Sequence, residues 1–269
     1  MIHLRSASIP KSVTFPDAFP FNVPVIRNLD TLEFTADVTF FVGENGSGKS
    51  TVLEAIACAA RLPTIGSTGV DADPTLAEIR KLSEHLKWSW VKRVRQGFFM
   101  RSEDFFGFAK LVAQMKASMN ADLADIEEEY EGRSSFARGL ARMPHMRELN
   151  ALKALYSDGL DEQSHGESYF RLFRARFVPD GLYLMDEPEA PLSPMRQLSL
   201  LTMLKLMIEQ GAQFIIATHS PILLAYPGAT IYSFDDGRIR QVAYDDLEHV
   251  TVMRGFLNNP QSYLKHLLA

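Results

Sequence analysis

Residues 40–51 read FFVGENGSGKST. A short apolar run gives way to Gly43, Gly46 and Gly48, and Lys49 and Ser50 follow at once. Gly43, Gly48, Lys49 and Ser50 match the spacing G-x-x-x-x-G-K-[ST], and each part has a physical reason. A buried strand carries the chain to the edge of a sheet. Glycines let the backbone bend so that successive N–H groups point inward, at the oxygens of a polyphosphate. A helix starting near Gly48 adds its unpaired amides and the positive end of its dipole. Lys49 brings a mobile full charge to the β- and γ-phosphates, and the Ser50 hydroxyl suits Mg²⁺. A glycine-rich turn that matches by accident is the alternative, and the strand before and the helix after weigh against it.

Working outward, MIHLRSASI (1–9) alternates as a strand does, and residues 31–42 end in the continuous apolar run of a strand buried on both faces. Between them four prolines in residues 10–24 predict loop. TVLEAIACAAR (51–61) reads as a helix. Residues 74–90 read as an amphipathic helix, with Asp73 as its cap and Pro74 in its first turn. DFFGFAKLVAQMKASM (104–119) predicts another helix, with more helix up to Tyr156. Strand–helix–strand order then returns: GLYLMD (181–186), a helix over 193–211 capped by Ser193, and AQFIIATHS (212–220). Residues 229–243 predict a hairpin turning at Asp236-Gly237, and 246–269 predict helix. The simplest architecture is one α/β P-loop NTPase domain over 1–269, with a helical lobe inserted at about 62–163.

Net charge is −5 over 269 residues, so the whole molecule does not attract nucleic acid, and any such contact needs a local basic patch. The single cysteine, Cys58, excludes a disulfide framework and a four-thiolate zinc site. It lies in the apolar AIACAA, where a small buried hydrophobe is the favoured reading. No apolar run reaches the roughly 18 residues of a membrane span, and the N-terminus lacks a signal-peptide core. The expectation is a soluble, cytoplasmic protein.

Hydrolysis needs more than a phosphate cradle. LYLMDEPEA ends a buried strand in Asp186 and Glu187. An Asp at that strand end can hold Mg²⁺ through its water shell, and the following Glu is placed to polarise an attacking water. His219, in FIIATHSP, ends another apolar strand on the edge where ligands bind in open α/β sheets. It can hydrogen-bond a γ-phosphate or the attacking water. Each of these residues, taken singly, is also compatible with a solvated strand end or a structural histidine.

The ordered set GENGSGKST, SHGES, LYLMDEPEA and ATHSP resembles the ATP-binding-cassette (ABC) ATPase superfamily. Its soluble branch is the nearer likeness, with the chromosome-maintenance and recombination-type ATPases and the short single-chain bacterial AAA family predicted ATPases. The resemblance implies a mixed-sheet ABC core and ATP and Mg²⁺ as cofactors. It implies that Asn45, Gly46, Ser47, Gly48, Lys49, Ser50 and Thr51 wrap the triphosphate. Asp186 and Ser50 become the metal-side residues, Glu187 the catalytic base and His219 the switch histidine. It further implies that Ser164, Gly166 and Glu167, in a loop at 164–168, cap the γ-phosphate of ATP bound to a second subunit.

The chain departs from that pattern in places. His165 replaces a glycine of the capping loop, and Ser193 stands where many relatives have Asp. The glutamine expected after a strand of the first half is missing; Arg101, Ser102 or Glu103 occupies the region, with Gln96 slightly early. No aromatic is assigned to adenine, Phe15 and Phe21 being guesses.

As partners, the resemblance implies a second copy in an ATP-dependent homodimer, serving DNA repair, genome maintenance or phage defence. An unknown protein partner is also open. Nucleic acid is a further candidate, through the basic and aromatic stretch 87–101 or the weaker 133–147; for the first, a solvated face over packed rings is favoured. An energising subunit of a membrane transporter and a P-loop small-molecule kinase remain the alternatives.

Overall fold

The computed structural model describes residues 1–10, 15–65, 69–94, 96–156, 173 and 176–268. Strands β1 (Leu4–Ser8), β2 (Thr31–Glu33) and β4 (Lys87–Trp90) form a small antiparallel sheet in the order β2-β1-β4. The central sheet has six strands. They are β3 (Val38–Val42), β5 (Gly97–Met100), β6 (Leu182–Asp186), β7 (Gln213–Ala217), β8 (Thr230–Ser233) and β9 (Arg240–Val242), in the order β5-β6-β7-β3-β8-β9. All pairings are parallel except the β8–β9 hairpin, which turns through Asp236 and Gly237 at φ 57° and 66° as expected.

The apolar runs have the composition of strands covered on both faces. Every residue of β3 and β7 is buried, and β6 is buried up to Asp186. Alternate side chains go to opposite layers. Phe41, Leu184, Ile215 and Ala217 join the layer of helix α2 (Lys49–Ala60) and helix α3 (Ala77–His85). Phe40, Tyr183, Met185, Phe214 and Ile216 join the layer of helix α6 (Pro194–Glu209). Chain order leaves α1 (Pro24–Arg27) before β2, and α7 (Pro221–Leu224), α8 (Glu248–Asn258) and α9 (Pro260–Leu267) after β7. Cys58 is buried in the first layer, which pushes its thiol up to about 11.

Three expectations change. Residues 31–42 are not one strand: β2 and β3 belong to different sheets. The helix predicted over 74–90 ends at His85, and residues 87–90 pair with β1, Trp88 opposite Ala7 and Trp90 opposite Leu4. There tertiary pairing of an alternating Trp-Ser-Trp overrides the helical spacing of the leucines before it. Ser193 occupies the cap position of α6, yet its side chain makes no capping hydrogen bond. Asp73 does cap, accepting from the Thr75 amide at 2.9 Å.

Within 62–163 the chain supplies β4 and β5 as well as helices. Its long elements are α4 (Ser102–Glu129) and α5 (Ser135–Tyr156), which pack on each other. Ser164, Gly166 and Glu167 lie outside the described residues.

Candidate functional site

Register levels the strand ends. Phe41 of β3 and Asp186 of β6 both pair with Ala217 of β7. The three chains therefore leave the sheet along one row, β3 and β6 about 10 Å apart with β7 between them. The phosphate loop leaves β3, Glu187 follows Asp186, and His219 lies two residues past Ala217.

The loop is built to bend. Gly43, Gly46 and Gly48 have φ of 140°, 81° and 100°, where side chains are rarely tolerated. A Cβ on Gly48 would also meet Val25 at 2.5 Å. Lys49 is buried, and its ammonium donates to the carbonyls of Gly43 at 2.7 Å and Glu44 at 2.9 Å. Burial lowers its pKa, opposed by the carboxylates of Asp186, Glu187, Asp235 and Glu189. Asn45, Gly46 and Ser50 are exposed. Thr51 is buried.

Burial drives the Asp186 carboxyl up to about 6, against a hydrogen bond from Ser50 and the charge of Lys49. Glu187 sits in the left-handed region at φ 47° and is fixed by its amide, which donates to the Ala217 carbonyl at 2.9 Å. A non-glycine residue there costs roughly 1–3 kcal/mol, so the surroundings over-determine its direction. Its Oε1 lies 3.8 Å from His219 Nε2. Burial and the Lys49 charge lower the His219 pKa, outweighing Glu187 and Asp235, so the imidazole is neutral at pH 7.

The donor set fits a hard divalent cation. A hydroxyl, Ser50, and a carboxylate whose charge is disfavoured by burial, Asp186, sit together, and a cation would relieve that penalty. Buried Glu189 Oε2 and Ser47 Oγ have no hydrogen-bond partner among the described residues. Those residues hold no cluster of three or more His, Cys, Asp or Glu able to bind a metal unaided. That agrees with Mg²⁺ bound through one or two protein ligands and phosphate oxygens.

Three further residues belong to this edge. Glu189 accepts from the His219 amide at 2.7 Å, which fixes the turn after β7. Asp235, just past β8, accepts from the Glu44 amide at 3.1 Å and from the Ser233 hydroxyl at 2.7 Å. His249 joins Gly43–Ser47, His219 and Asp235 around an open cleft of about 950 Å³. Asp235 ends a strand at the same edge as the phosphate loop, a signal the sequence carried but which reads first as a hairpin turn. Nothing in the sequence marks His249.

Other candidates stand elsewhere. Phe21 is buried, and its ring meets Phe15 at 5.2 Å and His85 at 5.5 Å, so it is committed to packing. In the basic stretch, Trp88 packs on the core and donates to the Ser83 carbonyl at 2.8 Å, as the packed-ring reading expects. Arg101 stands one residue past Met100, which pairs with Met185, and so lies level with Asp186.

Two stretches match family models. Residues 21–62, around the phosphate loop, match an "AAA domain", and residues 149–225, which include Asp186, Glu187 and His219, match "AAA domain, putative AbiEii toxin, Type IV TA system". The macrolide export ATP-binding/permease protein MacB of Hahella chejuensis is 28% identical over 226 residues, 81% of this chain. The chain spans only 31% of that relative's length. The energy-coupling factor transporter ATP-binding protein EcfA2 of Streptococcus pyogenes is 23% identical over 238 residues, covering 85% of this chain and 77% of that one. Among solved structures, the ADP conformation of an ATP-binding cassette of an ABC transporter aligns over 97% of this chain and 96% of its own, at 17% identity and a TM-score of 0.43. The Smc head domain of Pyrococcus furiosus aligns over 97% and 100%, at 11% identity and a TM-score of 0.43.

Proposed function

We propose that this chain, a P-loop ATPase of the ATP-binding-cassette type, binds Mg·ATP along the edge formed by β3, β6 and β7 and hydrolyses it to ADP and phosphate. The observation that carries the reading is the common row of Phe41, Ala217 and Asp186, which brings Lys49, Asp186, Glu187 and His219 to one edge. Amides of 45–51 and the first turn of α2 bind phosphate oxygens. Lys49 exchanges its loop carbonyls for the β- and γ-phosphates. Ser50 and Asp186 would hold Mg²⁺, which supplies charge neutralisation when bound. Glu187 orients a water and takes its proton. Neutral His219, 3.8 Å from Glu187, donates to the γ-phosphate side.

The working unit in this reading is a homodimer in which each nucleotide lies between one copy's phosphate loop and the other's Ser164–Ser168 loop. The γ-phosphate is then the contact that favours closure, and hydrolysis releases it. Residues 1–269 form one cytoplasmic ATPase domain, with α4–α5 as the helical lobe inserted at about 62–163. Glu187→Gln leaves binding intact and stalls cleavage, so it accumulates as a dimer with Mg·ATP. Light scattering at saturating Mg·ATP tests this, and a strictly monomeric Glu187→Gln rejects the dimer switch.

Two readings of the physiological role each have support. The name of the family model over 149–225, a putative toxin of a type IV TA system, favours a role of that kind. The names of MacB and EcfA2 favour service to a transporter. Among the described residues no helix is long and apolar enough to cross a membrane, so in the second reading the spanning part lies outside them. Stimulation of ATPase by DNA supports genome maintenance or defence, and co-purification with membranes supports the transporter reading.

A further inference from the structure

Arg101 is the last residue before α4 and the focus of a largely buried ion-pair group. Its guanidinium lies 3.0 Å from Glu54 Oε1 and 3.3 Å from Asp73 Oδ2, with side-chain exposures of 13%, 19% and 10% for the three. It reaches the Thr75 hydroxyl at 3.4 Å and packs over the Phe99 ring at 5.7 Å. Its backbone amide donates to Asp104 Oδ2 at 3.0 Å, and the Asp104 amide donates back to the Arg101 carbonyl at 3.2 Å, so the same residue fixes the first turn of α4.

Each partner sits on a different element. Glu54 lies on α2 one helical turn after Ser50, so it shares the face of the helix whose first turn carries the metal-side hydroxyl. Asp73 begins the turn into α3 and is braced by Thr75 and Arg80. Arg101 itself is level with Asp186 on the neighbouring strand. An arginine suits this place because its planar fork serves two carboxylates at once and keeps its charge at any physiological pH. Removing it would take the shared cation from two largely buried acids, an unfavourable change. A guanidinium cannot ligate Mg²⁺, so Arg101 is not a metal-side residue.

We propose that Arg101 is a positioning residue that couples the phosphate site to the α4–α5 helix pair, through Glu54 on the phosphate-loop helix and through its own place at the start of α4. The inference rests on the ATPase reading above. Nucleotide that repositions the first turn of α2 shifts Glu54, and the ion pair passes the shift to α4. The coupling is reciprocal, so whatever engages the helix pair biases the nucleotide site by the same factor.

The test compares wild type with Arg101→Gln, Arg101→Lys, Glu54→Gln and the Arg101→Gln/Glu54→Gln double variant. Steady-state ATPase gives kcat and KM. Amide hydrogen exchange over 102–129 is followed with and without the Mg²⁺ complex of a non-hydrolysable ATP analogue. The proposal expects kcat of Arg101→Gln to fall roughly 10- to 100-fold with KM little changed, and the nucleotide-dependent change in α4 exchange to vanish. Glu54→Gln should reproduce both effects, the double variant should be no worse than either single one, and Arg101→Lys should recover part of the loss. Should Arg101→Gln fail to fold, Glu54→Gln and Arg101→Lys carry the same comparison. Wild-type kcat and exchange response in Glu54→Gln, or additive losses in the double variant, overturn the role of Arg101 while leaving the ATPase intact. A wild type that neither binds the analogue nor cleaves ATP overturns the ATPase reading itself, and this inference with it.

Discussion

The sheet edge and the α4–α5 helix pair are built on opposite terms. At the edge, side chains are committed in three dimensions: Lys49 to two loop carbonyls, Glu189 to the His219 amide, Asp235 to the Glu44 amide. The helix pair instead leaves Phe136, Leu140 and Met143, spaced along one helical face, exposed to solvent. Its Arg142–Glu127 ion pair and the contact of His145 with Asp122 lie at the surface and are worth little. Chemistry that must place atoms to a fraction of an ångström sits on strand ends fixed by register. The helix pair is free to differ, and what it contacts is set by its surface.

If that contrast is right, substitutions at the edge act on ligand and metal while substitutions on the pair's surface barely register in stability. Lys49→Ala should weaken Mg·ATP binding the most, roughly 10- to 100-fold, the value of charge-assisted contacts to phosphate. Isothermal titration calorimetry measures it, and unchanged affinity would remove the distinction at its strongest point.

Asp186→Asn should next raise the stability of the nucleotide- and metal-free protein at pH 7 by on the order of 2 kcal/mol, while reducing stabilisation by Mg·ATP less than Lys49→Ala does. The sign follows from the raised pKa of about 6. As pH falls from above 6 towards 3.8, the native state takes up the proton before the unfolded chain does, so the wild type gains stability over that window and is penalised above it. Thermal melts at pH 5 and pH 7, with and without Mg·ATP, measure both effects.

His219 runs the other way. Its pKa is lowered by burial, so protonation in acid favours the unfolded chain, and its contribution to stability is lost as pH falls through 6.5 to its native value. The ATPase pH profile should show an acid limb with its midpoint below 6.5 that disappears in His219→Gln. The smallest effect is expected from Phe136→Ser on α5: at 79% exposure it should shift stability by less than about 0.5 kcal/mol in a urea melt. A larger loss would mean that this face is already covered in solution.

How much of this could be read from the sequence differs between the same two regions. The positions of the phosphate loop, Asp186, Glu187 and His219 were legible because a buried parallel strand announces itself as an unbroken apolar run, and polar residues at the ends of several such runs gain meaning together. Asp235 and Glu189 were not, since each acts through a backbone amide brought near by strand order rather than by sequence spacing. Residues 87–90 were misread because the leucines of α3 continue a helical spacing into a segment whose tryptophans are claimed by β1. Arg101 was noticed only as a missing glutamine. Its partners Glu54 and Asp73 lie 47 and 28 residues before it, so no local pattern could pair them.

The account turns on whether Glu187 and the phosphate loop act on the same terminal phosphate. Single-turnover cleavage of γ-labelled ATP by Glu187→Gln, with bound nucleotide measured in parallel, tests this most directly. The predicted result is wild-type retention of Mg·ATP with the chemical step slowed roughly 10²- to 10⁴-fold, as expected on losing a general base. Cleavage at the wild-type rate by a variant that still holds its nucleotide would contradict it.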